Sequence, residues 1–330
     1  MATVFVMGGT GFLGKETVKS LVKRGDTVYG LARSRESEDR LQQLGAIPVP
    51  GDVYTPERWI RHLPDMDYVI NVLGFFKDGK PARLSVKFSV VCREKYIKWA
   101  RTFIDVTRLK GVKLGVHVTG TTVYEDGGNE WVNEDTPLRF TKNGFNRIAA
   151  PATQLMVEEM AKGVPIVVAV APNIVYGDEP DTSFDQVFVR PLKNWQMGIV
   201  GQGKNYITTG HVEDVGRAIA FLTDSTYAGE FFHISGDDPV TQKEFFTAIA
   251  RGLGRGWVPR LPEKLVSVLG GKCAREFMCL SQRIDNRKLK SAGFTLKHPR
   301  FLDEIDQVMA RLQEAWKRES TTAQPERFES

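Results

Sequence analysis

The strongest chemical signal in the chain is a spacing of glycines. An apolar run, Thr3-Val4-Phe5-Val6-Met7, leads directly into Gly8-Gly9-Thr10-Gly11-Phe12-Leu13-Gly14, and a segment of helical periodicity follows. A glycine at position 8 makes a tight turn. One at 11 lets backbone approach a pyrophosphate, and one at 14 lets the helix pack closely on the strand. Thr10, Phe12 and Leu13 complete the turn, and the free N–H groups of the new helix face an anion. The spacing therefore predicts a dinucleotide-phosphate cradle. Cys92, Cys273 and Cys279 are few and irregularly spaced, which suggests reduced thiols rather than a disulfide frame or a metal site.

Strands alternating with amphipathic helices must hold this cradle. Strands are expected over Thr3–Met7, Thr27–Ala32, Ile47–Val49, Tyr68–Val72 and Leu114–Thr119, with helices starting near Gly14, Ser37 and Pro56 and a long one from Leu84 to Lys110. Further helices are expected over Phe145–Met160 and Val212–Thr223, and further strands over Pro165–Ala171 and Gly229–Ser235. Continuous apolar strands between helices predict a doubly wound parallel α/β sheet of Rossmann type with a smaller C-terminal substrate-binding portion. The expected division is 1–170 for the nucleotide-binding domain and 171–320 for a mixed substrate region containing returning sheet elements. A flexible tail is expected over 321–330. Gly177–Gly203, with Phe184, Phe188 and Trp195, reads as a loop-rich excursion forming a lid or substrate wall, while Thr241–Gly252 and Pro262–Leu269 read as helices.

Composition narrows the function classes. The chain of 330 residues carries a formal charge of +5, too modest and too dispersed to suggest a nucleic-acid surface. No apolar run reaches membrane-spanning length, and the first strand begins within two residues of Met1, so a cytoplasmic protein is expected, with a homodimer as one possible assembly.

The chain resembles the extended and atypical short-chain dehydrogenase/reductases, the epimerase/dehydratase-like group. Gly8-x-x-Gly11-x-x-Gly14 matches that family's fingerprint. Gly51-Asp52-Val53 resembles its adenine-side element, and Asn71-Val72-Leu73-Gly74 resembles the end of its fourth strand. Pro172-Asn173-Ile174-Val175-Tyr176-Gly177 is similar to its nicotinamide-side loop, His211-Val212-Glu213-Asp214-Val215 to a later helix opening, and Asn286-x-Lys288-Leu289 to its closing element. The resemblance implies cofactor contacts from Asp52, Val53, Leu73, Gly74, Pro172, Asn173, Ile174 and Val175.

Cofactor choice is read at the end of the second strand. An NAD site places a carboxylate there for the ribose hydroxyls. Here the position is Ala32, followed by Arg33, Ser34 and Arg35. A 2′-phosphate would repel an acid and accept the guanidinium fork of Arg33, with Ser34 or Arg35 assisting, so the expected cofactor is NADP(H).

The family's proton relay is absent. It uses a tyrosine and, four residues on, a lysine on one helical face; here the matching positions are Asn146 and Ala150. An asparagine can orient a carbonyl but is no practical acid near neutrality. The oxygen-binding hydroxyl position is Gly120, flanked by Thr119 and Thr121. The dehydratase Asp-Glu pair is replaced by Thr121 and Thr122. Tyr124 is the first candidate for a displaced acid, with Lys142 as its electrostatic partner; Thr121 and Asn146 complete the candidate catalytic set, and Tyr96, Tyr176 and His211 are weaker candidates. The expectation is an atypical NADP-dependent oxidoreductase acting on a small apolar or aromatic carbonyl or alkene. The alternatives are a catalytically quiet NADP-binding scaffold or redox sensor, and an NADP-retaining isomerase, cyclase or epimerase-like enzyme.

Overall fold

The computed structural model describes residues 1–74, 86–139 and 148–322. Seven parallel strands form its main sheet: β1 (Thr3–Met7), β2 (Thr27–Ala32), β3 (Ile47–Pro50), β4 (Tyr68–Asn71), β5 (Leu114–Gly120), β6 (Ile166–Ala171) and β7 (Phe231–His233). Their spatial order is β7-β6-β5-β4-β1-β2-β3. Every pairing is parallel, so each connection must cross over a face. The crossovers include α1 (Phe12–Arg24), α2 (Arg35–Gln43), α3 (Val86–Thr107), α4 (Ala150–Met160) and α5 (Val212–Phe221).

The alternation within β1 divides two cores. Val4 and Val6 pack with Val18 and Leu21 of α1 and Ile219 of α5, while Phe5 and Met7 pack on the opposite face with Phe103 and Ile104 of α3 and Met156 of α4. Burial on both faces explains the unbroken apolar run of β6, where all six residues are buried.

A third core holds the C-terminal portion. Here α6 (Gln242–Gly252) packs on the long terminal helix α7 (Phe301–Thr322), and Phe184, Phe188, Phe245 and Phe301 meet in one aromatic cluster. Thr241 starts α6 with a reciprocal capping box to Glu244.

Several expected elements are revised. No helix forms at Pro56; two short 3₁₀ turns, Pro56–Arg58 and Ile60–His62, stand there instead. The cause is Asp52, whose carbonyl accepts from the Thr55 N–H and the Trp59 indole N–H, winding the segment around itself. The 177–203 excursion is more regular than expected. It contains a π-turn over Asp185–Val189, a short helix over Arg190–Lys193 and a short strand at Ile199–Val200. The helix expected from Phe145 begins at Ala150, with Pro151 in its first turn, where the missing N–H costs little. Residue 84, 140–147 and 323–330, on which other expectations fall, lie outside the described residues.

Candidate functional site

The strand order reverses between β1 and β4, which opens a crevice at their carboxyl ends where ligands of open parallel sheets bind. The glycine turn fills one side of it. Gly8 has φ +91°, a left-handed conformation that a side chain would strain, and its carbonyl accepts the Gly11 N–H at 3.0 Å. A Cβ on Gly14 would stand 2.0 Å from the Gly8 oxygen, so the helix can start here only on a glycine.

Gly11 is different. A Cβ there would meet just one atom within 4 Å, the Gly8 oxygen at 3.3 Å. Internal packing among the described residues therefore does not demand a glycine at 11. Gly11 caps α1 without a side-chain hydrogen bond, and the first turn of α1 contains no acid. Its N–H groups and positive dipole end are thus available to an anion. The residues fit a dinucleotide pyrophosphate. Lys15, in the same turn, pairs with Glu179 of the loop after Tyr176 and tethers that loop to the cradle; burial lowers its pKa.

At the end of β2, Ala32 is buried while Arg33, Ser34 and Arg35 are exposed. The three are not equivalent. Ser34 caps α2, accepting the Ser37 N–H at 3.3 Å, and Arg35 pairs with Glu38 and Asp39. Arg33 makes no ion pair among the described residues. Asp52 accepts the Tyr54 N–H at 2.9 Å, and Val53 is buried with its carbonyl held by Thr102. Across the crevice, Leu73 N–H donates to Asn71, and no atom of the described residues stands within 4 Å of where a Gly74 Cβ would lie.

Beyond β5 and β6 the candidate catalytic groups are largely committed. Thr121 is fully buried and donates its hydroxyl to Asn173, whose amide in turn donates to Gln282 at 3.1 Å. Pro172 and Ile174 are buried, and Ile174 and Val175 enter a short parallel strand paired with Thr209–His211.

Tyr124 lies in the core at 2% exposure, 2.8 Å from Nε2 of His233. His233 Nδ1 faces the Asp285 carbonyl at 3.1 Å, which only accepts, so the ring proton sits on Nδ1 and Nε2 receives the Tyr124 hydroxyl proton. Burial also raises the Tyr124 pKa. The structure thus sets Tyr124, the candidate displaced acid, against a buried partner 109 positions away that accepts its hydroxyl hydrogen. Asn146 and Lys142 lie outside the described residues.

Tyr176 packs between Phe184, His211 and Phe301, and Tyr96 packs against Trp99. His211 caps α5 and stacks on His298 at 3.8 Å. His211, Glu213 and His298 bring ligand-type atoms within 4.8 Å of one another. They form a hydrogen-bonded cluster: His211 Nδ1 accepts the Glu213 N–H, which leaves its proton on Nε2, and Lys297 pairs with Glu213. Phe184 and Phe188 are core residues at 0% and 5% exposure, so they are not the substrate wall expected of them; Trp195 is exposed.

Sequence reasoning missed Gln282 and His233. Neither belongs to a local motif, and each acts on partners more than 100 positions away.

The model of the NAD-dependent epimerase/dehydratase family matches residues 4–234. A Stigmatella aurantiaca 4-hydroxy-2-methyl-3-oxo-4-farnesyl-3,4-dihydroquinoline-1-oxide ketoreductase is 26% identical over 76% of this chain and 73% of its own. A Dictyostelium discoideum decarboxylating sterol-4-alpha-carboxylate 3-dehydrogenase is 24% identical over 75% of each. Among solved structures, a human epimerase family protein with NADPH superimposes with a TM-score of 0.72 at 19% identity, covering 93% of this chain and 99% of that one. Thermus thermophilus UDP-glucose 4-epimerase with NAD gives 0.73 at 20% identity, covering 95% and 99%. These two likenesses establish the shared fold. No helix among the described residues is long and apolar enough to cross a membrane.

Proposed function

Because this chain belongs to the NAD-dependent epimerase/dehydratase family, with nicotinamide-nucleotide oxidoreductase chemistry as its general class, we propose that it is an NADP-dependent oxidoreductase of an apolar carbonyl or alkene. The observation that carries the cofactor choice is Arg33. It stands exposed at the end of β2, with no ion pair among the described residues and with Ala32 where an NAD site would hold an acid.

In this reading the N–H groups of α1 and the clearance over Gly11 hold the pyrophosphate, and Arg33 holds the 2′-phosphate. Asp52 and Val53 border the adenine, while Leu73, Gly74 and the 172–175 segment border the nicotinamide. NADPH supplies hydride when bound. The chain's own contribution is binding, orientation and exclusion of water around the acceptor carbon. The ketoreductase and sterol dehydrogenase relatives support an apolar acceptor.

The test is calorimetry with NADPH and NADH, followed by nicotinamide absorbance in a screen of steroid ketones, quinones and aryl ketones. NADPH should bind at least about tenfold more tightly, as a charge-assisted phosphate contact implies. Equal binding of the two overturns the NADP assignment.

One observation favours a second reading, a catalytically quiet NADP-binding scaffold. The hydroxyls of Tyr124 and Thr121 are both spent within the protein, on buried His233 and half-buried Asn173. Tight NADPH binding without oxidation across the whole screen would select it.

A further inference from the structure

Two backbone carbonyls fix a ring of side chains at the carboxyl edge of the sheet. The amide nitrogen of Gln282 donates to the Thr121 carbonyl at 2.9 Å and reaches the Glu125 carbonyl at 3.4 Å. Carbonyls only accept, so Nε2 must face them and Oε1 must face the other way, toward Asn173. Asn173 therefore presents its Nδ2 to Gln282 Oε1, at 3.1 Å, and its Oδ1 to Thr121. The Thr121 hydroxyl must then donate. One residue sets the orientation of all three.

The location gives this ring its meaning. Gly120 of β5 and Ala171 of β6 form the last paired rung between those strands, so Thr121 and Asn173 are among the first residues beyond it. Gln282 comes from the C-terminal portion and is itself clamped, with its N–H on the Tyr206 carbonyl and its carbonyl accepting the Thr208 hydroxyl. Gln282 and Thr121 are fully buried, whereas Asn173 is half-buried. The second Nδ2 hydrogen of Asn173 has no partner among the described residues. A locked amide with one N–H left over, at the ligand-binding edge of the sheet, is a preorganised donor.

We propose that Gln282 is a positioning residue for the nicotinamide end of the site, acting through Asn173 and the 121–125 loop. This rests on the nicotinamide-nucleotide reading above. It makes a specific demand: loss of the ring must weaken the nicotinamide half of the cofactor and spare the adenosine half, which lies with Arg33 and Asp52 at the ends of other strands.

The experiment compares binding of NADPH with that of 2′,5′-ADP, which lacks the nicotinamide, in the parent, Gln282→Met and Thr121→Val. Each variant should lose about tenfold or more in NADPH affinity, the scale of a hydrogen bond left unmade in a buried network, while 2′,5′-ADP changes less than about twofold. The double variant should be little worse than either single, because both break one ring. A purely structural role would weaken both ligands alike; that result, or unchanged NADPH binding, overturns the proposal. If Q282M does not fold, T121V decides alone. Should the parent bind NADH as well as NADPH, the NADP assignment fails separately, and NADH against ADP-ribose measures the same split.

Discussion

The phenolic oxygen of Tyr124 lies 2.8 Å from Nε2 of His233, and the two rings meet edge to face with centroids 5.2 Å apart. His233 turns its other nitrogen to the Asp285 carbonyl, so the turn after β5, strand β7 and the segment before Arg287 are joined through one imidazole. Tyr124→Phe keeps the ring packing but leaves a buried nitrogen without its donor. The variant should lose about 1–3 kcal/mol of stability in urea unfolding. NADPH affinity should stay within about twofold. Unchanged stability with loss of turnover would instead restore Tyr124 as an acid.

Histidine burial predicts a pH dependence. Burial lowers the pKa values of His117, His211 and His233 from 6.5 to about 4. The unfolded chain therefore takes up protons near pH 6.5 that the folded chain refuses until about pH 4. Stability is full above pH 6.5 and is lost as pH falls through that window. Urea midpoints should be level from pH 8 to 7 and decline steadily from 6.5 toward 4.5. A midpoint unchanged down to pH 5 would show that these rings are not buried as neutral species.

The parts of this protein legible in its sequence are those whose partners are close in sequence. The cradle is local: Gly8, Gly11 and Gly14 act on one another within seven positions, so spacing alone reveals their geometry. The position of Arg33 just beyond β2 is legible for the same reason, since the end of that strand is marked by the apolar run before it. Gln282 is not, because it orients Thr121 from 161 positions away and nothing beside it distinguishes it from a surface glutamine. The aromatic residues of the excursion show a different limit. Phe184 and Phe188 could face a ligand or a helix, and their periodicity does not say that α6 and α7 would claim them.

Arg33→Ala should remove most of the discrimination between NADPH and NADH. The guanidinium is exposed, so water screens the contact, and the expected loss in NADPH affinity is about tenfold, with NADH binding nearly unchanged. Arg35→Ala should matter less, since Arg35 is already paired with Glu38 and Asp39. Calorimetry on the two variants checks both statements. An R33A protein that keeps its preference would place the 2′-phosphate elsewhere.

The glycines of the cradle should separate folding from binding. At Gly14 a methyl group would lie 2.0 Å from the Gly8 carbonyl oxygen and within 2.9 Å of Gly9 Cα, contacts that no side-chain rotation relieves. Gly14→Ala must push α1 away from β1, so it should lower the melting temperature and abolish NADPH binding together. At Gly11 the neighbouring atoms leave room, with one contact at 3.3 Å. Gly11→Val should therefore remain folded, with a melting temperature within a few degrees of the parent. It should nevertheless lose NADPH binding by about 100-fold or more, because the branched side chain occupies the approach to the α1 N–H groups. Thermal melts and cofactor titrations on the two variants give a direct comparison. Normal NADPH binding by a folded G11V protein would remove the pyrophosphate from this turn and with it the cofactor assignment.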